Sequence, residues 1–464
     1  MIKMTELIKN AINEAKEINK EYHYFNAICE KPLEKEIKKG KLSGYIVSVK
    51  DAINVKGIES TAGSAILKDY KPLFDATVIE KVKEEGAIII GKTSQDEFGF
   101  GSFNTNKGND KEIPLNPFDK ERACGGSSGG CCGFAQKTKL KHISLAESTG
   151  GSIVAPACFC GVVGLCPTYG RVSRYGLMDY ANSMDKIGKK KKNVYDVALM
   201  LEVISGFDPK ESTSADVMVE PYSEFTDSEV KGMKIGIIKH GFGKGINPEV
   251  SKAVKKNIEK LKGKGVIAEE IELPLVSKYS LATYYILAMC EASTNLAKYC
   301  GMRYGTMEDA SGKSFNEYFT EIRTKHFNAE SKRRIMIGTF ARMAGFRDAY
   351  YIKAAKIRTL IIQEYKKLFQ EYDALICPTM PVIAPKIQEI KNMTPLENYM
   401  MDMLTAGPNL AGLPHISIPS GFIEGMPIGT MLIADHFMEK NLIKLGAEIQ
   451  EKNRLKIKTS HSSH

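Results

Sequence analysis

Apolar and polar positions along the chain alternate between two periods. Residues 44–50 (GYIVSVK) form a short apolar run that predicts a strand ending at Lys50. Residues 76–85 (ATVIEKVKEE) put Val78, Ile79 and Val82 on one helix face, with Gly86 as the stop. The β-branched run Ala87 to Ile90 predicts a second strand. Residues 193–205 (NVYDVALMLEVIS) predict an amphipathic helix. A strand–helix–strand unit follows. Lys234 to Ile238 is the first strand, Asn247 is the N-cap with Pro248 at the first helical position, and Val250, Val254, Ile258 and Leu261 share one face. Gly263 and Gly265 stop that helix, and Val266 to Leu273 is the next strand. Residues 278–300 and 329–371 read as long helical segments, Asp373 to Cys377 as a strand before Pro378, and 414–434 as two strands around a Gly-containing turn. The opening segment predicts an amphipathic helix over 4–20; its acidic residues and lack of an apolar core argue against a secretory leader. Residues 99–133, rich in Gly, Asn, Pro and Ser, read as loop. Strands alternating with helices predict an α/β fold with a largely buried sheet. No internal repeat interrupts it, and the polar tail 456–464 is expected to fray.

Composition adjusts this picture. The 464 residues are 43% hydrophobic, enough for a large core, and exceed a typical domain of about 100–200 residues. Two or three domains, or one unusually large one, follow. No run of about 20 apolar residues predicts a membrane span, and the expected compartment is the cytoplasm. The net charge of +10 permits an RNA partner without arguing for one. Lys189 to Lys192 form the one dense basic run, read first as a solvated surface and second as a nucleic-acid contact. Ten cysteines, with no C-x-x-C pair, read as free buried thiols in a reducing compartment; a metal at Cys124, Cys131 and Cys132 is the alternative.

Two motif matches fail on physical grounds. Gly86 to Thr93 (GAIIIGKT) spells a P-loop, but its centre is the predicted strand, whose amides belong to a sheet rather than to a phosphate. Gly125 to Gly129 (GGSSG) spells a nucleophile elbow, but residues 114–124 make a poor strand, and His240, His326, His415 and His436 lie in no matching context.

Two Gly/Ser knots, Gly125 to Gly130 and Ser148 to Ser152, carry the candidate chemistry. Tight turns are their bland reading. The chemical reading starts from the weakness of a serine nucleophile without a base. With no suitable histidine, a lysine can serve if burial keeps it neutral, and Lys50 ends an apolar strand. A second serine can relay the proton, and Thr149-Gly150-Gly151 can offer N–H groups to an oxyanion.

These segments, SVKD (48–51), CGGSSGG (124–130), STGGSI (148–153) and GVVGLCPTYGRVSRYGL (161–177), resemble the amidase signature family. Residues 75–98, 332–340, 348–361 and 409–414 are similar to the glutaminase (A) subunits of tRNA-dependent amidotransferases in that family, and the similarity runs from about residue 4 to 455. The resemblance implies an amidase signature fold: a large mixed β-sheet covered by helices on both faces, in one domain over 1–455 with a signature core at about 40–205 and a C-terminal part at about 230–455. It implies Lys50 as base, Ser127 as a cis-peptide relay serine, Ser152 as nucleophile, and Thr149, Gly150 and Gly151 around the oxyanion. It implies that Tyr284, Arg334 and Asp402 hold glutamine, positions that otherwise read as a core tyrosine, a surface arginine and a helix aspartate. No cofactor or metal is expected on this chain. ATP and magnesium are expected at a partner B subunit, where a misacylated Glu-tRNA(Gln) or Asp-tRNA(Asn) is amidated, with a small C subunit completing a heterotrimer.

Departures from the family pattern surround the site. An Asp is usual at Ser148, an Arg at Val154 and a Lys at Cys166; losing the first two together is expected to remove one ion pair without stranding a charge. One extra residue separates the knots, and residues 136–142 (QKTKLKH) are unusually charged. The rival readings are a free-standing amidase and a catalytically weakened assembly subunit.

Overall fold

The computed structural model describes residues 2–29 and 38–450; the 456–464 tail lies outside them. Among the described residues eleven strands form one sheet: β1 (Phe25–Ile28), β2 (Ile46–Lys50), β3 (Ile88–Thr93), β4 (His142–Ser148), β5 (Val163–Cys166), β6 (Lys186–Lys191), β7 (Lys234–Ile238), β8 (Ile267–Ile271), β9 (Ala374–Pro378), β10 (His415–Ile423) and β11 (Met426–Ile433). Their order is β1-β3-β2-β4-β6-β5-β10-β11-β9-β7-β8. The sheet is mixed. β2 runs parallel to β3 and β4, and β7 parallel to β8 and β9. The remaining pairs are antiparallel.

Most apolar runs form the predicted elements. Helix Thr77–Glu84 buries Val78, Ile79 and Val82, and helix Pro248–Gly263 buries Val250, Val254, Ile258 and Leu261, with the Asn247 side chain accepting from Glu249 N. The P-loop look-alike is β3, paired on both sides, so its amides serve the ladder. The first helix spans Ile2–Tyr22, longer than the expected 4–20.

Three expectations are corrected. Residues 99–133 are not all loop, because helix Gly129–Lys137 begins inside them. Its glycines, poor helix formers, are there for close approach: a Cβ at Gly130 would lie 2.5 Å from the Tyr24 carbonyl oxygen, and one at Gly133 would lie 2.1 Å from the Tyr24 ring. The 329–371 segment divides into Ala329–Arg342 and Lys353–Leu368, joined through Gly345 (φ +88°) and a wide turn at Asp348–Ile352.

The third correction is the largest. Lys189 to Lys192 is neither a solvated face nor a nucleic-acid contact. Lys189 and Lys190 are wholly buried in β6, near the middle of the sheet, and only Lys192 is exposed. Neighbouring lysines point to opposite faces. Lys190 reaches the segments leading into helices Gly129–Lys137 and Val154–Phe159, whereas Lys191 pairs with Asp196 of helix Val194–Ile204. Helices therefore cover both faces of the sheet.

Candidate active site

β2 and β4 are parallel neighbours, so their C-terminal ends meet on one edge of the sheet. That end of a parallel pair is where α/β folds place ligands. β2 delivers Lys50 there, and β4 delivers Glu147 and the turn 149–152. The segment entering helix Gly129–Lys137 supplies the third part. Gly125 at φ +80° and a cis Gly126–Ser127 peptide turn the chain so that Ser127 faces Lys50.

The three sequence-predicted polar groups form a continuous chain. Lys50 Nζ donates to Ser127 Oγ at 2.7 Å, and Ser127 Oγ lies 2.9 Å from Ser152 Oγ. Lys50 and Ser127 are wholly buried, and Ser152 keeps 7% exposure. Room is tight: a Cβ at Gly99 (φ +81°) would sit 3.5 Å from Ser127 Oγ and 3.6 Å from Glu147 Oε2. Among the described residues, no imidazole hydrogen-bonds Ser127 or Ser152. His142 bonds Ser48, His415 bonds Asn409 and Leu413, His436 bonds Ala411, and His326 bonds Glu308. This removes the Ser–His elbow reading.

Sequence reasoning missed Glu147. Its Oε2 lies 2.7 Å from Lys50 Nζ and its backbone carbonyl 3.2 Å away, while Thr149 Oγ1 approaches both Glu147 Oε1 (2.8 Å) and Asp185 Oδ1 (2.6 Å). Burial, then the Glu147 charge, pushes the Asp185 carboxyl well above the usual carboxylate range. The acidic letter at 147, next to the serine knot, was the available signal.

The glycines before Ser152 are packed against the predicted substrate side chains. A Cβ at Gly150 would fall 2.4 Å from the Tyr284 ring and hydroxyl. One at Gly151 would fall 2.6 Å from Thr405 Oγ1 and 3.3 Å from Asp402 Oδ1. Asn409 Nδ2 donates to Gly150 O at 2.7 Å, and because the peptide is planar this also fixes the direction of the Gly151 N–H. Asp402 accepts from the Tyr285 hydroxyl at 2.6 Å and from Ser102 at 3.3 Å; burial raises its pKa, partly offset by the Tyr285 bond.

Arg334 is not a surface residue. It is 3% exposed, donates Nε to Glu330 at 2.8 Å and Nη1 to the Tyr180 hydroxyl at 2.6 Å, and lies 5.0 Å from the Phe100 ring centroid and 5.4 Å from those of Tyr285 and Tyr399. An aromatic cage strengthens a cation's hold at low exposure, and these bonds leave guanidinium N–H donors for a carboxylate. A cavity of about 420 Å³ opens beside it, lined by Phe100, Ser102, Glu330, Arg334 and Tyr399 among others.

Among the described residues, no group of three or more His, Cys, Asp or Glu side chains is arranged to hold a metal ion. The cysteines are free; nine are buried and Cys300 is partly exposed. Cys131 makes hydrogen bonds with Thr93 and Leu145. No described helix is long and apolar enough to cross a membrane. Ser148, Val154 and Cys166 are all buried, and Ser148 Oγ has no hydrogen-bond partner.

Comparison with known proteins shows the family of the chain. The amidase family model matches residues 4–443. The glutamyl-tRNA(Gln) amidotransferase A subunit of Halothermothrix orenii is 45% identical over 424 residues, 91% of this chain and 87% of the relative. The protein of the same name from Methanosarcina mazei is 45% identical over 423 residues, covering 91% and 87%. The crystal structure of the glutamyl-tRNA(Gln) amidotransferase A subunit from Thermotoga maritima superposes with a TM-score of 0.81 at 36% identity, covering 96% of this chain and 91% of that one. With its sheet, its serine knots and these relatives aligned over nearly the whole chain, the protein belongs to the amidase family.

Proposed function

We propose that this chain is the glutaminase subunit of a tRNA-dependent amidotransferase. Ser152 Oγ attacks the side-chain carboxamide carbon of glutamine, passing its proton through Ser127 to Lys50. The oxyanion is held by the N–H groups of Thr149, Gly150 and Gly151. The proton returns to the leaving nitrogen, ammonia departs, and water hydrolyses the glutamyl ester on Ser152. Arg334 takes the α-carboxylate and Asp402 the α-ammonium, as charge-assisted bonds would, with Tyr284 packed against the glycine turn. Ammonia then passes to a B subunit, where ATP and magnesium activate a misacylated Glu-tRNA(Gln) or Asp-tRNA(Asn); a C subunit completes the cytoplasmic assembly.

The observation that carries this reading is the Lys50–Ser127–Ser152 chain at 2.7 and 2.9 Å with no imidazole in it. The relatives are named as A subunits of glutamyl-tRNA(Gln) amidotransferases, which supports the Glu-tRNA(Gln) acceptor and assembly with further subunits. The test is ammonia release from glutamine by the complex with B and C subunits. Ser152→Ala is expected to abolish it, and activity near wild type would sink the nucleophile assignment. A chain that hydrolyses other carboxamides unaided and binds no B subunit would instead be the free-standing amidase. The weakened-subunit reading, raised by the absence of charge at Ser148, Val154 and Cys166, would be established by a reconstituted complex that amidates tRNA only from added ammonia.

A further inference from the structure

Lys50 Nζ faces three acceptors, Ser127 Oγ, Glu147 O and Glu147 Oε2. An ammonium spends all three N–H groups on them and has no lone pair for the serine proton. To act as base it must first lose a proton, and Glu147 Oε2, 2.7 Å away, is the nearest carboxylate oxygen. Beyond it, Thr149 Oγ1 touches Glu147 Oε1 and Asp185 Oδ1. One hydroxyl carries one hydrogen and cannot donate to two carboxylates, so one carboxyl holds a proton and donates to Thr149. Asp185 Oδ2 already accepts the backbone N–H groups of Tyr180 and Ala181, at 2.8 and 3.0 Å. The Lys50 ammonium, 2.7 Å from Glu147 Oε2, holds the negative charge there, so the proton sits on Asp185, on the Oδ1 that faces Thr149, and Thr149 donates to Glu147.

We propose that Glu147, rather than solvent, receives the proton that Lys50 sheds, and that Asp185, Thr149, Glu147, Lys50, Ser127 and Ser152 form one hydrogen-bonded relay. The proposal rests on Ser152 being the nucleophile. In the step, an Nζ–H bond of Lys50 breaks as an O–H bond forms at Glu147 Oε2. Ser127 then gives its proton to Lys50 and takes that of Ser152, whose oxygen electron pair forms the bond to the carbonyl carbon. On collapse the protons run back, and the one from Ser152 leaves on ammonia. Asp185 and Thr149 are positioning residues: they hold Glu147 with a neutral donor that does not compete for Lys50's charge. The other titratable groups facing the pair are Asp96 after β3, Cys131 on helix Gly129–Lys137 and Cys166 on β5, with Arg174 beyond Asp185.

Transfer within the Lys50–Glu147 pair changes no net charge, so the reactive form is available at neutral pH. With glutamine at 147 the amine must release its proton to solvent, and the reactive form appears only at higher pH. The readout is the pH dependence of Ser152 labelling by a fluorophosphonate, which reports nucleophile activation whatever the natural substrate. Glu147→Gln is expected to label at least about tenfold more slowly at pH 7 and to recover toward alkaline pH, while Glu147→Asp keeps the wild-type pH dependence at lower rate. Because Asp96 is pushed up to about 6 by burial, the shift between variants is the measurement. A pH dependence unchanged in Glu147→Gln, or moved to lower pH, overturns the relay. Should that variant melt below the assay temperature, Glu147→Asp carries the test: a pH dependence displaced from that of the wild type overturns the relay. Failure of Ser152 to label at all overturns the nucleophile reading and the relay with it. Normal labelling without glutamine hydrolysis sinks only the glutaminase assignment and supports the relay if the shift is present.

Discussion

The backbone carbonyl of Ser152 would receive its helical hydrogen bond from the N–H of residue 156. That residue is Pro156, which has none. The bonds on either side are intact: Ala155 N donates to Gly151 O at 2.9 Å and Ala157 N to Ile153 O at 3.3 Å. Lys190 Nζ fills the gap, donating to Ser152 O at 3.1 Å and to Ser128 O at 3.1 Å. Lys190→Met keeps the length of the side chain and removes the donor. Two effects then oppose each other. Ser152 O is left unsatisfied, at about 1–3 kcal/mol, whereas Ser128 O keeps Cys132 N at 3.4 Å and loses less. Against this, an amine no longer has to be buried, which can be worth as much or more. The single change mixes the two effects, and a double-mutant cycle with Pro156→Ala cancels the burial contribution, which is common to both backgrounds. Alanine at 156 restores the missing N–H, so Lys190→Met is expected to be less damaging in that background by about 1–3 kcal/mol, read from urea unfolding. The labelling rate of Ser152 should recover in the same direction. Strict additivity, within about 0.5 kcal/mol, would refute the idea that Lys190 stands in for a helical donor.

Two further outcomes follow from single contacts. Gly150→Ala drives a methyl to 2.4 Å from Tyr284, so either the ring or the oxyanion backbone moves. kcat/KM for glutamine is expected to fall about a hundredfold with an overpacking cost of about 1–3 kcal/mol in stability, and activity within about threefold of wild type would show that the packing is not needed. Burial lowers Lys92 to about 8, against the opposing pull of Asp51, while its Nζ bonds Asp51 O and Ser60 Oγ. The folded state thus binds fewer protons than the unfolded chain between about pH 8 and 10.5, and stability rises with pH there. Compared with Lys92→Met, the wild type should gain about 1.4 kcal/mol per pH unit across that window, and a wild-type stability minus Lys92→Met stability that stays constant or falls as pH rises refutes the assignment.

How legible the fold was depended on which signal each segment carries. Helices such as Thr77–Glu84 and Pro248–Gly263 bury one face, so their period shows in the letters. β3 was visible because a central strand is apolar on both faces. The serine knots were visible because their glycines have physical duties, among them leaving room for Tyr284 and Asp402. The polar surroundings were not. Arg334 beside Arg333 looks like solvent, and only the tertiary cage of Phe100, Tyr180, Tyr285 and Tyr399 makes it a buried cation. Tyr285, one residue from the predicted Tyr284, is the side chain that bonds Asp402, a distinction that one helix face cannot announce in sequence.

β6 was hidden for a related reason. A strand reading KIGKKK violates every expectation for the middle of a sheet, since isolated lysines are too costly to bury. It survives because three of its four lysines meet backbone or side-chain oxygen: Lys186 donates to Leu413 O at 3.1 Å, Lys190 to the two serine segments, and Lys191 faces Asp196. Lys189 has no hydrogen-bond partner, and burial pushes its pKa well down. This recasts the departures at Ser148, Val154 and Cys166. Read along the chain they look like lost charge. In three dimensions a carboxylate stands one residue earlier, at Glu147 against Lys50, and amines stand on β6, with Lys186 opposite Ser148 and Lys190 under Ser152. A buried charge cannot be dropped from a packed site without unsatisfying its partners, but it can be supplied from a neighbouring strand, and a reading confined to aligned positions does not see the replacement.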